Sequence, residues 1–318
     1  MTLAPHVATL GRGPGRSRSL TEAEAADAMA LMLTGRAAPE AGGALLMLLR
    51  MKGETAPEIA GFARAARAAL GELPQVDLDW PSYAAGRTRG LPWFLLSARL
   101  VAMAGHRVLI HGRNGVGAAV RDHLAGAGIP VASDADGIAA ALDAKRIAYA
   151  PLEVLHPALD GLLGLRPVLG LRSCVNTVCR MLNPAGAEAS VQGVFHPSYR
   201  MLQAEAATLL GWPSLCVIKG GGGEFERHPG KDIQAFGLRS GQIFEASTPP
   251  VEAVGARRLA EVAGDTDLAR LWSGESGDAF ATNIVIGTAA LALDTLGHAR
   301  PDELARELWI ARNPARAA

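Results

Sequence analysis

Beyond Pro74 short apolar runs alternate with segments of helical period, and this alternation limits the fold more than any other feature. Residues 106–111, 146–150, 190–195, 215–218 and 242–246 read as strands, and 129–131 as a further short one. These runs are too short for helices and several are β-branched. Helices are expected over 91–104, 118–127, 138–142, 162–182, 198–210, 251–262, 265–273, 278–296 and 302–312. The first of these is apolar nearly all round, which predicts burial. Strands and helices in such alternation form a mostly parallel sheet covered by helices.

The chain before Pro74 reads differently. Thr21 and Glu24 form a capping box, as do Thr55 and Glu58 with Pro57 in the first turn. Ala25, Ala28, Met29, Met32 and Leu33 follow the first box at helical spacing, and Gly35 stops them. Ile59, Phe62, Ala63, Ala66 and Leu70 follow the second box, with another helix at 41–51 between. Three helices without a strand predict a small helical domain over 20–73. Residues 1–19 read as an irregular, flexible basic arm. Arg12, Arg16 and Arg18 stand there with no acid in 11–18, as a solvated arm or as one that touches nucleic-acid phosphates.

The 318 residues are 49% hydrophobic and 19% charged, enough for one large or two moderate domains with ample core. Zero formal net charge excludes a strongly basic global footprint but leaves room for a local patch. Cys174, Cys179 and Cys216 have neither an even count nor paired spacing, so a disulfide framework or zinc site is not expected. Reduced thiols point to a cytoplasmic protein. No apolar run reaches the roughly 18–20 residues of a membrane span, so no membrane partner is expected.

Three glycine-bearing loops fall at expected strand ends or helix starts: 86–90, 111–115 and 219–226. Free N–H groups and the helix dipole make such turns suit anions. Gly86, Arg87 and Arg89 lie in the first, and His111, Gly112, Arg113 and Asn114 in the second. The third holds Lys219, Gly220 and Gly221. A phosphate-bearing ligand follows, although neither a P-loop nor a dinucleotide fingerprint is present. Glu224 and Glu226 read either as ligands for a hard cation or as solvated acids after a tight turn. His111 and His156 stand near strand ends, as general bases or as histidines held by packing. Cys174 and Cys179 read as core.

The sequence resembles anthranilate phosphoribosyltransferase and its relatives in glycosyltransferase family 3 over about 20–308. The matching residues are Met47 through Thr55, Glu58-Ile59-Ala60-Gly61, Ala150-Pro151, and His156 through Leu159. Further matches are Leu169 through Ser173, Asn176, Leu182-Asn183-Pro184, Gly193 through Ser198, and Ala289 through Leu293. The resemblance implies a small all-helical domain, completed by roughly 171–188, packed on a larger α/β domain over 74–170 and 189–318. It also implies a homodimer through the helical domain and an active site in the cleft between domains. Catalytic members transfer phosphoribose from phosphoribosyl pyrophosphate, with a glycine-rich pyrophosphate loop and Mg²⁺ on an Asp-Glu pair. Arg166 matches the arginine that holds anthranilate's carboxylate, and Asn176 is retained.

Departures fall on the ligand loops. The Gly-Thr-Gly-Gly-Asp loop becomes Ala85-Gly86-Arg87-Thr88-Arg89-Gly90, and the Asn-x-Ser-Thr turn becomes Leu91-Pro92-Trp93-Phe94. Ile110 replaces the lysine of Lys-His-Gly-Asn-Arg, and the metal pair aligns on Phe225-Glu226. One carboxylate is therefore lost where Mg²⁺ would stabilise departing pyrophosphate. Arg12-Gly13-Pro14, Trp80 through Tyr83, Leu91-Pro92-Trp93 and Lys219 through Glu226 resemble the divergent YbiB-like branch. That branch is associated with sequence-independent nucleic-acid binding by a homodimer. Two expectations follow. One is a dimer that binds nucleic acid or a phosphorylated small molecule without anthranilate activity. The other is an active phosphoribosyltransferase, with Mg²⁺, for an unidentified acceptor.

Overall fold

A computed structural model describes residues 2–83, 90–113, 120–251, 257–259, 261 and 266–313. The first helices are α1 (Ala4–Gly11), α2 (Glu22–Leu33), α3 (Pro39–Lys52) and α4 (Ala56–Ala68). Strand β1 (Leu78–Ser82), helix α5 (Phe94–Met103) and strand β2 (Val108–Gly112) follow. Then come α6 (Ala135–Lys145), β3 (Ile147–Pro151), α7 (Leu152–Leu155), α8 (Pro157–Leu163), α9 (Arg166–Leu169) and α10 (Val175–Arg180). The second half holds β4 (Ala189–Val194), α11 (Tyr199–Leu209), β5 (Ser214–Lys219), β6 (Ile233–Arg239) and β7 (Gln242–Thr248). The described chain closes with α12 (Leu268–Ser273), α13 (Ala279–Thr295) and α14 (Pro301–Ala311).

The seven strands form one sheet in the order β3-β2-β1-β4-β5-β6-β7. The first five are parallel, and β6 and β7 add an antiparallel hairpin at one edge. Side chains alternate across each strand. Leu78, Trp80, Val108, Ile110, Val191, Cys216 and Ile218 share a core with α5, α13 and α14 on one face. Leu215 and Val217 face the other way, into a core shared with α11 and the amino-terminal helices. The helical domain and half of the sheet thus pack around one apolar body.

Both capping boxes form as expected. Thr21 accepts from the Glu24 amide while Glu24 accepts from the Thr21 amide, and Thr55 and Glu58 form the same pair. Glu58 is fully buried and also accepts from Leu20 N at 2.9 Å and from Lys52 Nζ at 2.9 Å, so this box also ties the α2 entry to α4.

Several expectations need correction. Residues 4–11 are helical, with Pro5 in the first turn and Leu3 and Leu10 buried. The amino-terminal segment is therefore docked on the bundle rather than irregular. Strand β1 was not expected; it forms although Pro81 cannot donate to a ladder, and it pairs with β2 through Pro81 and His111. Strand β6 also carried no pattern of its own, yet it pairs with β5 along four positions. The helix expected at 118–127 is a short 3₁₀ turn over Arg121–His123 among its described residues. The single helix expected at 162–182 is broken: α8, α9 and α10 are separated at Gly164 and by the left-handed Gly170. Of the helix expected at 251–262, the described residues are not helical.

Candidate functional site

Connections leave β1 toward β2 and β3 on one side, and β4 toward β5 on the other, so the strand order reverses between β1 and β4. In an open α/β sheet a crevice opens there, at the carboxyl ends of the strands. Tyr83, Gly112-Arg113, Phe195-His196 and Lys219 all stand at those ends. Gly86, Arg87, Arg89 and Asn114 lie outside the described residues.

Lys219 ends β5 in register with Val194, and its side chain is exposed. Phe195, one residue beyond, is 54% exposed and meets His196 edge-on at 4.9 Å. An exposed ammonium and an exposed aromatic side chain therefore stand on neighbouring strand ends at the crevice mouth. Sequence reading missed Phe195; its place just after a strand was the available signal.

The glycine run folds back on itself. Gly222 and Gly223 have φ of 66° and 94°, and a Cβ on Gly220 would collide with the Glu224 carbonyl. The following residues turn inward. Phe225 is fully buried and meets Trp80 edge-on at 5.5 Å. Glu226 is also fully buried, and its Oε2 accepts from Phe94 N, at the start of α5, at 3.2 Å. This carboxylate fills the positive end of the helix dipole. Glu224 is fully buried too, and its charge favours the Arg180 cation. The expected solvated or metal-binding acids are thus internal, because Phe225 anchors the loop in the core. No cluster of three or more His, Cys, Asp or Glu residues able to hold a metal exists among the described residues. The donor set does not fit Mg²⁺, which takes one or two accessible carboxylates together with phosphates and water.

Arg180, at the end of α10, joins the strand ends. Its Nε donates to Gly193 O at 3.0 Å and its Nη2 to Tyr83 O at 2.5 Å and Gly223 O at 3.5 Å. Its Nη1 donates to Asn176 O at 3.3 Å and also to Asn176 Oδ1. Burial pulls the guanidinium below its ordinary pKa and Glu224 opposes that shift. Asn176 is thus engaged in holding Arg180. The apolar run around Arg180 hid this residue from sequence reading.

A buried polar chain runs along the same sheet face. Ser190 Oγ donates to Asp79 Oδ2 at 2.7 Å, and Asp79 Oδ1 lies 3.0 Å from His111 Nε2. His111 Nδ1 lies 2.8 Å from Tyr83 Oη. Gln192 Nε2 donates to Arg180 O at 2.8 Å and so links this chain to the arginine. Burial pushes the Tyr83 hydroxyl well above its ordinary pKa, so it stays protonated and donates to Nδ1. With Nδ1 accepting from Tyr83, the remaining ring proton is assigned to Nε2, on the side of Asp79. His111 is therefore fully buried beneath the ends of β1 and β2, which places it away from direct ligand contact.

The other expected residues disperse. Arg113 Nε pairs with Asp160 Oδ1 at 2.6 Å, which commits it to α8. Gly112 packs against Ser82. Arg166 is exposed at the start of α9. Arg12 and Arg16 are exposed on the bundle, while Arg18 forks onto Glu24 at 2.6 and 2.7 Å. His156 is a packing histidine: Nδ1 accepts from Leu159 N and Nε2 donates to Ala66 O at 3.1 Å. Cys174 and Cys179 are buried as expected.

Comparison with known proteins gives one consistent picture. The helical bundle domain of a glycosyl transferase family matches residues 6–70, and its a/b domain matches 94–307. Anthranilate phosphoribosyltransferase of Moorella thermoacetica is 33% identical over 92% of this chain and 89% of its own. Anthranilate phosphoribosyltransferase 2 of Streptomyces coelicolor is 31% identical over 88% and 87%. The crystal structure of anthranilate phosphoribosyltransferase from Thermus thermophilus superposes with a TM-score of 0.82 at 25% identity, covering 98% of this chain and 95% of that one. The Saccharomyces cerevisiae enzyme in complex with PRPP and Mg superposes with a TM-score of 0.78 at 17% identity, covering 99% and 95%.

Proposed function

The chain belongs to glycosyl transferase family 3, that of the anthranilate phosphoribosyltransferases, and from that membership we propose a changed use of the family's crevice. It holds a phosphate-bearing ligand directly, a nucleic-acid backbone or a phosphorylated small molecule, and does not transfer phosphoribose to anthranilate through Mg²⁺. One observation carries this reading: Lys219 and Phe195 face out at the strand ends, while Glu224 and Glu226 are turned into the core. An ammonium attracts phosphate, and an exposed ring stacks on a nucleobase. Losing metal stabilisation of a departing pyrophosphate raises the barrier by several kcal/mol.

Dimerisation in the cytoplasm is part of the proposal. Met51 on α3 and Val168 on α9 are each 81% exposed, and α3 and α9 adjoin where Gly43 faces Leu169. Apolar surface of this kind supports an interface.

The experiment has three arms. Anthranilate with phosphoribosyl pyrophosphate and Mg²⁺ is expected to give no turnover, and turnover would overturn the proposal. Titration with a single-stranded oligonucleotide at low salt and with phosphoribosyl pyrophosphate distinguishes the two phosphate sources. Failure of both ligands to bind would also overturn it.

A second reading is phosphoribosyl transfer to a different acceptor. Exposed Arg166, which by resemblance matches the arginine that holds anthranilate's carboxylate, favours it. Binding of phosphoribosyl pyrophosphate that requires Mg²⁺ would select this reading over the first.

A further inference from the structure

Two apolar helices on the same face of the sheet each end in a glycine followed by a histidine: Gly105-His106 after α5 and Gly297-His298 after α13. Gly105 and Gly297 take φ of 102° and 88°, the left-handed stop that glycine supplies. After α13, Gly297 N donates to Asp294 O at 3.0 Å and His298 N to Leu293 O at 3.1 Å, which fixes this histidine just past the last turn. After α5, Gly105 N donates to Ala102 O at 3.0 Å. The two stops bring the half-buried imidazoles together at the amino-terminal end of β2, the end remote from the crevice.

His106 Nε2 lies 2.7 Å from His298 Nε2, while the ring centroids are 5.0 Å apart and the planes stand at 90°. Only rings that meet end-on combine so short a nitrogen distance with so long a centroid distance. Both nitrogens therefore aim at one spot on the line between them. A transition metal does not fit there, because each nitrogen needs about 2 Å to the ion; a proton does. The charged groups on the packed segments are Arg99, Asp77, Arg107, Asp143 and Arg146 on the His106 side, and Asp294, Arg300 and Glu303 on the His298 side. Arg99 lies over Trp272, Arg107 pairs with Asp143 at 3.0 Å, Asp294 with Arg239 at 2.6 Å, and Arg300 with Glu303 at 2.8 Å. Arg146 donates to Gly105 O at 3.0 Å, and Asp77 Oδ2 lies 3.9 Å from His106 Nδ1.

We propose that His106 and His298 form a pH-sensitive latch, which holds the α13–α14 turn to the entry of β2 and opens when both rings are protonated. In the neutral pair one Nε2–H donates to the other Nε2. A first added proton, taken at Nδ1 of the donor ring, makes the bond charge-assisted. Asp77 and the negative ends of α5 and α13 support that cation. A second proton has only the accepting Nε2 left to bind, so it replaces the bond by two N–H groups facing each other. Burial, and then the neighbouring His298, hold His106 below its ordinary pKa against the opposing pull of Asp77. The unfolded chain binds the second proton more readily, so what the latch contributes is present above about pH 6.5 and lost as pH falls below it. Opening frees the turn that leads into α14, whose Trp309 meets Trp272 edge-on at 6.2 Å. The proposal does not rest on the function assigned to the crevice.

Hydrogen exchange on the full chain tests it at the bonded amides of Gly105, Gly297 and His298. Each rate is divided by the intrinsic rate at that pH and compared with amides inside α13, so that local opening is read apart from global unfolding. Between about pH 7.5 and about pH 5 these amides should exchange about tenfold faster in the unmodified protein. His298→Gln offers both a donor and an acceptor to His106, so it should keep the protection and abolish its pH dependence. His298→Ala should exchange fast at both pH values. Proton NMR of the unmodified protein adds a reading that needs no variant: the two histidines should titrate in two linked steps. The inference is overturned by protection that does not change with pH, by a pH dependence that survives His298→Gln, by His298→Ala that is as protected as the parent at about pH 7.5, or by independent single-step titration of the two rings.

Discussion

Replacing Arg180 by methionine removes the cation that joins the ends of β1 and β4 to the glycine loop. Three carbonyls, those of Tyr83, Gly193 and Gly223, lose a donor, and Glu224 loses a neighbouring positive charge. Hydrogen bonds to a charged group contribute roughly 1.5–3 kcal/mol each, and the 3.5 Å contact to Gly223 counts for less than the other two. Breaking a buried charge pair from one side costs about 3–5 kcal/mol. Both routes place the loss for Arg180→Met at about 3–5 kcal/mol. Urea denaturation followed by tryptophan fluorescence measures this difference. Hydrogen exchange should also accelerate at residues 220–226, whose loop the guanidinium holds. A loss below about 1 kcal/mol would refute the clamp.

Other predictions follow from the same network. Ser190→Ala strips Asp79 of a buried donor and should cost about 1–3 kcal/mol in chemical denaturation; a change within about 0.5 kcal/mol would contradict the buried chain. Glu226→Ala should lower stability by about 1–2 kcal/mol by uncapping α5, with no change in a Mg²⁺ titration; a lost Mg²⁺ response would instead make Glu226 a ligand. Burial holds His106, His156 and His228 below their ordinary pKa. The unfolded chain therefore binds more protons, and stability present above about pH 6.5 should decline as pH falls below it. His156→Gln should flatten the decline in melting temperature between about pH 7 and pH 5, and an unchanged slope would contradict the assignment. Lys219→Ala should weaken phosphate-ligand binding with little effect on melting temperature, because the side chain is exposed.

Much of this architecture was legible in local pattern. The capping boxes of α2 and α4 and the β-branched run of β5 each carry their own signal. Strand β6 does not: its residues become a strand only because β5 and β7 flank it. The single helix read across 162–182 failed because apolar continuity hid the left-handed turn at Gly170. At the site, glycine content located the 219–226 loop correctly. Where its acids point was set by Phe225, whose partner Trp80 is 145 positions away and so invisible to spacing. His111 and Arg113 were read as ligand contacts from loop position alone. Their commitments to Asp79 and Asp160 depend on tertiary proximity. Arg180 was hidden for the complementary reason, as a single charge in an apolar helix that reaches the carbonyls of Tyr83, Gly193 and Gly223, distant in sequence.

The central claim, that the crevice holds phosphate directly and without a metal, is tested most directly by fluorescence anisotropy of a labelled single-stranded oligonucleotide, with inorganic phosphate and phosphoribosyl pyrophosphate as competitors. In EDTA, binding should persist, weaken steeply with added salt, yield to a phosphate-bearing competitor and fall in Lys219→Ala. Phosphate-ligand binding that appears only when Mg²⁺ is supplied, and is lost in Glu226→Gln, would contradict the account.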